Sequence, residues 1–450
     1  MNQASIPSKI PFTPTSTYES FKPQPWLPIE EYPDPLLYPE LPSKPRSPNF
    51  SENYTLSTHI VPAAYPRFTP ETPLPEIHPF TGNSTERMTQ ISELAENILR
   101  KRYAHDEREL VGERDQKIYW HCINRYARKE PSGTGITLFL AHASGFPKET
   151  WEATLRTLSA SAAGPLIEEI WAWEAIQHGD SALLNARTLG GMYDWADNAR
   201  DIVNFLLNYM PDELCASLPT GLPRVPAAVS KAREKRGFLK RTLVAVGHSF
   251  GGATSALAAL NFPNLFSSLI LVDPMITPPA KPDVLSQTPS LLSSISRRDK
   301  WSSREEAKSM FQKSPFFSRW HPDILDLYVA FGLADDPAGG VRLKTSGLQE
   351  ALVYANSRRR VPGEVWQDIE KLDPRITLRW AGPGETGLGI SVPGSFAVLA
   401  WRRPVNASNI LIEGAGHLVV QEQPVKLADE IATFLLHEYG SGGSMFKSLL

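Results

Sequence analysis

Cysteine is almost missing from the chain: Cys122 and Cys215 are the only two in 450 residues. That is too few for a disulfide framework, it fits a reducing compartment, and neither has a second Cys or His at metal-ligand spacing. Long apolar runs are missing as well, since no stretch offers the ~18 consecutive apolar residues of a membrane span. The opening residues, MNQASIPSKIPFTP, lack the basic stretch and apolar run of a secretory leader. An excess of one charge is also missing: 46 basic against 49 acidic residues leave a net of −3. Such a balance offers no sequence-wide field for nucleic acid or anionic lipid. The expected partner is therefore a small molecule, with no nucleic acid and no membrane span, and the pattern carries no signal of oligomeric state.

Proline, by contrast, is concentrated, with 18 of the 40 prolines in residues 1–80. Proline fixes φ and removes the backbone donor that helices and ladders need, so this region is not regular core. Phe21, Trp26, Leu27, Tyr32, Leu36, Leu37 and Tyr38 give it apolar surface, and we expect residues 1–53 to lie as an arm over the domain. Strands are expected at 54–61 and 117–123. Between them Met88, Ile91, Leu94, Ile98 and Leu99 recur at helical spacing. From Ile136 onward, short apolar strands at 136–141, 166–173, 241–246, 268–272, 376–380 and 409–412 alternate with amphipathic helical patterns. This is the signature of a mostly parallel sheet with helices on both faces. Two segments interrupt it. Residues 211–240 read as a loop and a solvated basic patch (Lys231, Arg233, Lys235, Arg236), and 278–373 as a cap inserted between two sheet strands. The core is then 54–277 with 374–439, and the Gly/Ser-rich end, 440–450, is expected to be a flexible tail.

Chemistry is carried by Leu243-Val-Ala-Val-Gly-His-Ser-Phe-Gly-Gly252, an apolar strand running into Gly-x-Ser-x-Gly and then an alanine-rich helix. A sharp strand-to-helix turn needs small neighbours, and it lifts Ser249 above the sheet edge as a nucleophile. The N–H of Phe250, opening the helix, points at a developing oxyanion. A serine needs a base, and in the α/β-hydrolase chain order the histidine comes last. His417, in Glu413-Gly-Ala-Gly-His417 after the last strand, has that place. Position alone leaves the acid open between Asp273, which ends Leu271-Val-Asp273-Pro274, and Glu385, which follows the next strand. A second oxyanion donor is expected from the loop Ala141-His-Ala-Ser-Gly-Phe146, at Ser144 or Gly145.

Taken with His178-Gly-Asp-Ser181 and Gly414-Ala-Gly-His-Leu418, these motifs resemble a group of fungal α/β-hydrolases, over about Tyr54 to Tyr439. The group includes toxin-biosynthesis proteins of the Alternaria host-selective type and the acyl-CoA hydrolase of mycophenolic acid biosynthesis. The resemblance implies the α/β-hydrolase fold and favours Asp273 as the acid, because the group carries its acid on the Leu-Val-Asp-Pro motif. It also implies hydrolysis of an ester or thioester through an acyl-enzyme, without metal or redox cofactor. Other readings of the same residues are a plain carboxylesterase, lipase or lactonase, or a catalytically silent binding protein on the same fold. Members of the group often end in a peroxisomal tripeptide. Here Ser448-Leu449-Leu450 has the small first residue and final leucine but no basic residue between them, so the expected location is cytoplasmic or peroxisomal.

Overall fold

Among the described residues, fourteen α-helices and eleven strands alternate along the chain. The computed structural model describes residues 8–440 apart from Ser16, 77–82, 108–113, Thr134, 281–283, 357–359 and 386–393. The expected tail, beyond Gly440, lies outside the described residues. In chain order the strands are β1 (Tyr54–Pro62), β2 (Trp120–Arg128), β3 (Ile136–Ala141), β4 (Ile167–Trp173), β5 (Thr242–His248), β6 (Ser268–Val272), β7 (Lys300–Trp301), β8 (Leu333–Asp335), β9 (Val341–Leu343), β10 (Thr377–Pro383) and β11 (Ala407–Ile412). The helices are α1 (Ser84–Asp106), α2 (Glu152–Ala160), α3 (Gly179–Leu184), α4 (Trp195–Asn204), α5 (Ala227–Arg236), α6 (Phe250–Asn261), α7 (Val284–Ser296), α8 (Arg304–Gln312), α9 (Pro322–Phe331), α10 (Gly347–Tyr354), α11 (Val361–Asp368), α12 (Ser395–Ala400), α13 (Val419–Glu422) and α14 (Pro424–Tyr439).

Eight strands form one sheet in the order β1-β2-β4-β3-β5-β6-β10-β11. It is parallel except where β2 runs against β1 and β4. The central strands are buried along their whole length, as a sheet covered on both faces requires. Successive residues serve opposite faces. Leu138, Leu140, Val244, Val246, Ile270 and Val272 pack with Leu155, Phe434 and Leu435 of α2 and α14. Phe139, Ala141, Leu243, Ala245, Leu269 and Leu271 pack with Ala199, Ile202, Ala253 and Ala256 of α4 and α6. This is the α/β-hydrolase arrangement.

Several local expectations need correction. Strand β2 begins at Trp120, three residues late, and runs on to Arg128, because its partner β1 pairs with it from Tyr54↔Arg128 to Pro62↔Trp120. The polar Asn124 and Arg125, beyond the expected end at 123, are buried and satisfied by Glu149 and Glu169. Helix α1 starts before its apolar stripe, at a capping box in which Asn83 accepts from Thr85 and Glu86 while Glu86 returns a bond to Asn83. Met88, in its first turns, is exposed. In the described residues of 8–53, which carry no regular helix or strand, Leu37 is exposed. Its neighbour Tyr38, itself partly exposed, turns its ring onto Trp120 at 5.0 Å, and in extended chain adjacent side chains point opposite ways. Arg233, taken as part of a solvated patch, is buried.

Residues 278–373 leave the sheet after β6 and return at β10. Within them β7, β9 and β8 make a small antiparallel sheet, and Phe311, Trp320 and Tyr328 pack with Phe146 of the loop after β3 and Leu418 of the loop after β11. Among the described residues no helix is long and apolar enough to cross a membrane.

Candidate active site

Ser249 stands between β5 and α6 with φ 53 and ψ −114, a left-handed conformation that costs a non-glycine residue about 1–3 kcal/mol. The surroundings hold it there. Its N–H bonds the Val272 carbonyl at 3.0 Å and its own carbonyl accepts from Met275 at 2.9 Å, stitching the turn to β6 and the chain beyond it. Glycine is needed at both ends of the turn. A Cβ on Gly247 would lie 2.6 Å from Gly252 Cα, and one on Gly251 would lie 2.5 Å from the Ala141 carbonyl oxygen. The Phe250 ring, packed edge-on against Trp195 at 4.9 Å, anchors the helix that opens there. As a first-turn residue, Phe250 has an N–H without an intrahelical acceptor.

Strand β6 lies beside β5, so its end reaches the same edge. There Asp273, also left-handed at φ 32, donates its N–H to the Ala381 carbonyl at 2.8 Å. His417 comes from the glycine-containing loop between β11 and α13. Its Nδ1 is 2.6 Å from Asp273 Oδ2 and its Nε2 is 2.9 Å from Ser249 Oγ. The three side chains therefore form one hydrogen-bonded row, nearly closed to solvent. In this row the ring acts as donor at Nδ1 and as acceptor at Nε2, the tautomer that can take the serine proton.

Glu385 is not part of it. Its carboxylate accepts from Arg319 at 2.8 Å and remains half exposed. Its backbone N–H bonds Ala415, so the residue braces the His417 loop from outside. Arg319 also reaches Glu422 at 3.1 Å, and Glu422 in turn accepts from the Gly416 N–H at 2.7 Å. None of these bracing roles was read from the sequence, because the Arg319 and Glu385 contacts join residues far apart in the chain.

The loop after β3 lies alongside. His142 is buried there, with Nδ1 donating to the Ala143 carbonyl at 2.7 Å and Nε2 accepting from Ala175 at 3.1 Å. Burial lowers its pKa to about 4 against the raising effect of that carbonyl, so the ring is a neutral clip between two loops. Gly145 has φ 87 and faces Glu350, whose Oε1 would be 2.4 Å from a Cβ at that position. Ser144 is buried beside it. Further along, the His178–Ser181 turn belongs to a buried charge cluster: Lys148 Nζ lies 3.2 Å from each of Glu149, Glu174 and Asp180. Burial opposes the ammonium, but the three carboxylates outweigh it and hold Lys148 protonated.

Among the described residues, His105, Asp106 and Asp194 have ligand atoms at metal-binding spacing. Asp194 is already bound by Arg102 and Arg360, both at 2.9 Å, and Asp106 by Arg102 at 2.8 Å. These contacts make the group an ion-pair network.

A family model described as "Alpha/beta hydrolase family" matches residues 138–430. In sequence the chain is similar to the peroxisomal membrane protein LPX1 of Saccharomyces cerevisiae, 28% identical over 253 residues, covering 52% of this chain and 59% of that protein. The match thus spans less than two thirds of that relative. The type I acyl-CoA thioesterase mpaH of Penicillium brevicompactum is 30% identical over 367 residues, covering 67% of this chain and 77% of that protein. Among solved structures, the peroxisomal alpha-beta-hydrolase Lpx1 of Saccharomyces cerevisiae superposes with a TM-score of 0.62 at 22% identity, covering 89% of this chain and 93% of that one. At that identity the likeness concerns the fold.

Proposed function

Because the chain belongs to the alpha/beta hydrolase family, in the group that holds these fungal relatives, we propose that it is a serine hydrolase cleaving a small-molecule ester or thioester. The observation that carries the reading is the His417 ring, 2.9 Å from Ser249 Oγ on one side and 2.6 Å from Asp273 on the other. Ser249 Oγ attacks the substrate carbonyl as His417 Nε2 takes its proton. Asp273 accepts from Nδ1–H and stabilises the imidazolium. The oxyanion is met by the Phe250 N–H and by a second N–H from Ser144 or Gly145. As the tetrahedral intermediate collapses, the leaving alkoxide or thiolate departs with the proton from His417. Water then repeats the sequence on the acyl-enzyme and regenerates Ser249. Residues 278–373 act as the cap, with Phe311, Trp320 and Tyr328 walling the site from above Phe146 and Leu418.

Within this class we favour an acyl-CoA thioester, on the name of the Penicillium relative. A plain carboxylesterase is the second reading, favoured by the same Ser249–His417–Asp273 row, which does not distinguish oxygen from sulfur leaving groups. Of the cytoplasmic and peroxisomal locations, the name of the Saccharomyces relative favours the peroxisomal one, and imaging a tagged chain tests it.

The test is a hydrolysis screen of acyl-CoA thioesters against aryl esters, run on the wild type and Ser249→Ala, with fluorophosphonate labelling of both. Loss of a triad nucleophile removes up to ~10⁶ of the rate, so Ser249→Ala should neither turn over nor label. Residual activity of a few per cent in a clean preparation would refute the assignment.

A further inference from the structure

His248, the residue before Ser249 in the turn, has no part in the steps above, yet it touches the proposed base. It is 1% exposed, and its Nε2 lies 2.8 Å from the main-chain carbonyl of His417. A carbonyl oxygen only accepts, so this contact requires the imidazole proton on Nε2. Nδ1 is then a lone pair, and it has no hydrogen-bond partner. The two rings are 5.6 Å apart and inclined at 43°, and both nitrogens of His417 are engaged by Asp273 and Ser249, so the rings share no hydrogen bond. Burial first, and the neighbouring His417 second, push the pKa of His248 down to about 3. The ring therefore stays neutral while its neighbour takes and returns a proton.

We infer that His248 is the positioning residue of His417. Its Nε2–H ties the backbone of the base to the residue adjoining the nucleophile. The need for such a tie is visible in the loop. Gly414, with φ 78, and Gly416 precede His417 and leave its backbone with few steric limits. The neighbouring anchors, the bond from Gly416 N–H to Glu422 and that from Glu385 N–H to the Ala415 carbonyl, hold the loop before His417 and not His417 itself. General-base transfer requires heavy atoms about 2.6–3.2 Å apart, and a misplacement of ~1 Å costs on the order of 100-fold in rate. By bonding the carbonyl of His417 from the neighbour of Ser249, His248 makes the separation of base and nucleophile a property of one turn. It then depends less on the glycine-containing loop alone.

The inference rests on reading Ser249 and His417 as nucleophile and base, and its test separates the two. His248→Gln keeps an N–H donor near the Nε2 position. His248→Leu and His248→Met fill the space without one, and two apolar variants guard against one failing to fold. With melting temperature as the control for folding, the apolar variants should lower kcat and the rate of fluorophosphonate labelling at Ser249 by ~10-fold or more, leaving KM within about two-fold. His248→Gln should recover most of that loss, which a purely space-filling role would not allow. Wild-type kcat in a folded apolar variant, or no recovery in Gln, would overturn the inference. A second readout does not depend on activity: long-range proton–nitrogen NMR of the His248 ring should report the neutral Nε2–H tautomer down to about pH 5. An Nδ1–H tautomer or an imidazolium there would overturn the inference even if the wild type hydrolyses nothing. Failure of the wild type to label at Ser249 would instead remove the proposed function and leave the NMR result to judge the hydrogen bond.

Discussion

Two residues with unfavourable backbones face one another at the carboxyl edge of the sheet, Ser249 at φ 53 and Asp273 at φ 32. Such conformations persist only where neighbouring bonds over-determine them. Here the Ser249 N–H to Val272 bond and the Asp273 N–H to Ala381 bond lock adjacent strand ends together. The strain thus has a geometric consequence: both side chains are lifted toward His417. This argues for Asp273 over Glu385 as the acid. Asp273→Asn should leave the protein folded but favour the wrong imidazole tautomer, lowering kcat by up to ~10⁴. Glu385→Gln removes a half-exposed partner of Arg319, and exposed pairs are worth about 0–1 kcal/mol, so activity should fall by less than ~10-fold. Steady-state kinetics on both variants decides, and a larger loss in Glu385→Gln would reverse the assignment. From the sequence, Ser249 was legible because its turn is a local pattern, and His417 because chain order narrows ten histidines to one. The choice between Asp273 and Glu385 was not legible from position, since both end neighbouring parallel strands. The second contact of the turn, His248 with the His417 carbonyl, was not legible at all, because a bond to backbone leaves no mark on residue type at the far end.

Elements whose identity depends on their own residues were readable, and those made by their partners were not. The apolar runs of β3, β5 and β6 give a buried parallel sheet directly. In contrast, the second half of β2, past the expected end at 123, is strand because β1 lies along it and because Glu149 and Glu169 are brought to Asn124 and Arg125. The same holds for α5. Its basic residues look like one solvated face, yet Arg233 turns inward and its Nη1 donates to the carbonyls of Leu206, Leu207 and Met210 at 3.0, 3.3 and 2.8 Å. These carbonyls belong to the end of the turn that continues α4, where no further helical N–H is available to them. Arg233→Met should leave them buried and unbonded, lowering unfolding free energy in urea by roughly 2–4 kcal/mol. Lys235→Met, on the exposed side of the same helix, should change it by less than about 0.5 kcal/mol. Equal effects from the two substitutions would mean that Arg233 is not a cap.

Across the whole molecule, histidine is used mainly as a buried neutral group. Burial lowers His59, His105 and His142 to about 4 and His248 to about 3, and it holds His178 well below the usual value of 6.5. Each folded ring resists a proton that the unfolded chain accepts below pH 6.5. Between the folded and unfolded values the unfolded state binds more protons, so stability rises with pH and is lost on acidification. Two carboxyls pull the other way in the same window. Burial raises Glu174 to about 7, with Lys148 opposing, and Asp106 to about 6, with Arg102 opposing. The native state therefore holds their protons above the pH at which the unfolded chain has released them. Asp197 and Glu364 are raised in the same sense by burial. Five imidazoles against chiefly two carboxyls leave a net uptake of about two to three protons on unfolding, or roughly 2–4 kcal/mol of stability lost per pH unit between about pH 6.5 and 5. Further down, Asp180, Asp194 and Asp201 add to the loss. Burial works against their charge, but the cations around them, Lys148, Arg102 and Arg67 foremost, hold their pKa values below the carboxylate range until acid protonates them. Urea unfolding at pH 7 and about pH 5 measures the slope. His178→Phe provides an internal control, because His178 lies in stacked contact with Phe250 at 6.0 Å and neither of its ring nitrogens has a hydrogen-bond partner. Removing that one imidazole should flatten the acid limb by about one proton, or ~1.4 kcal/mol per pH unit. Equal stability at the two pH values, or an unchanged slope in His178→Phe, would show that these rings are not held neutral by the fold.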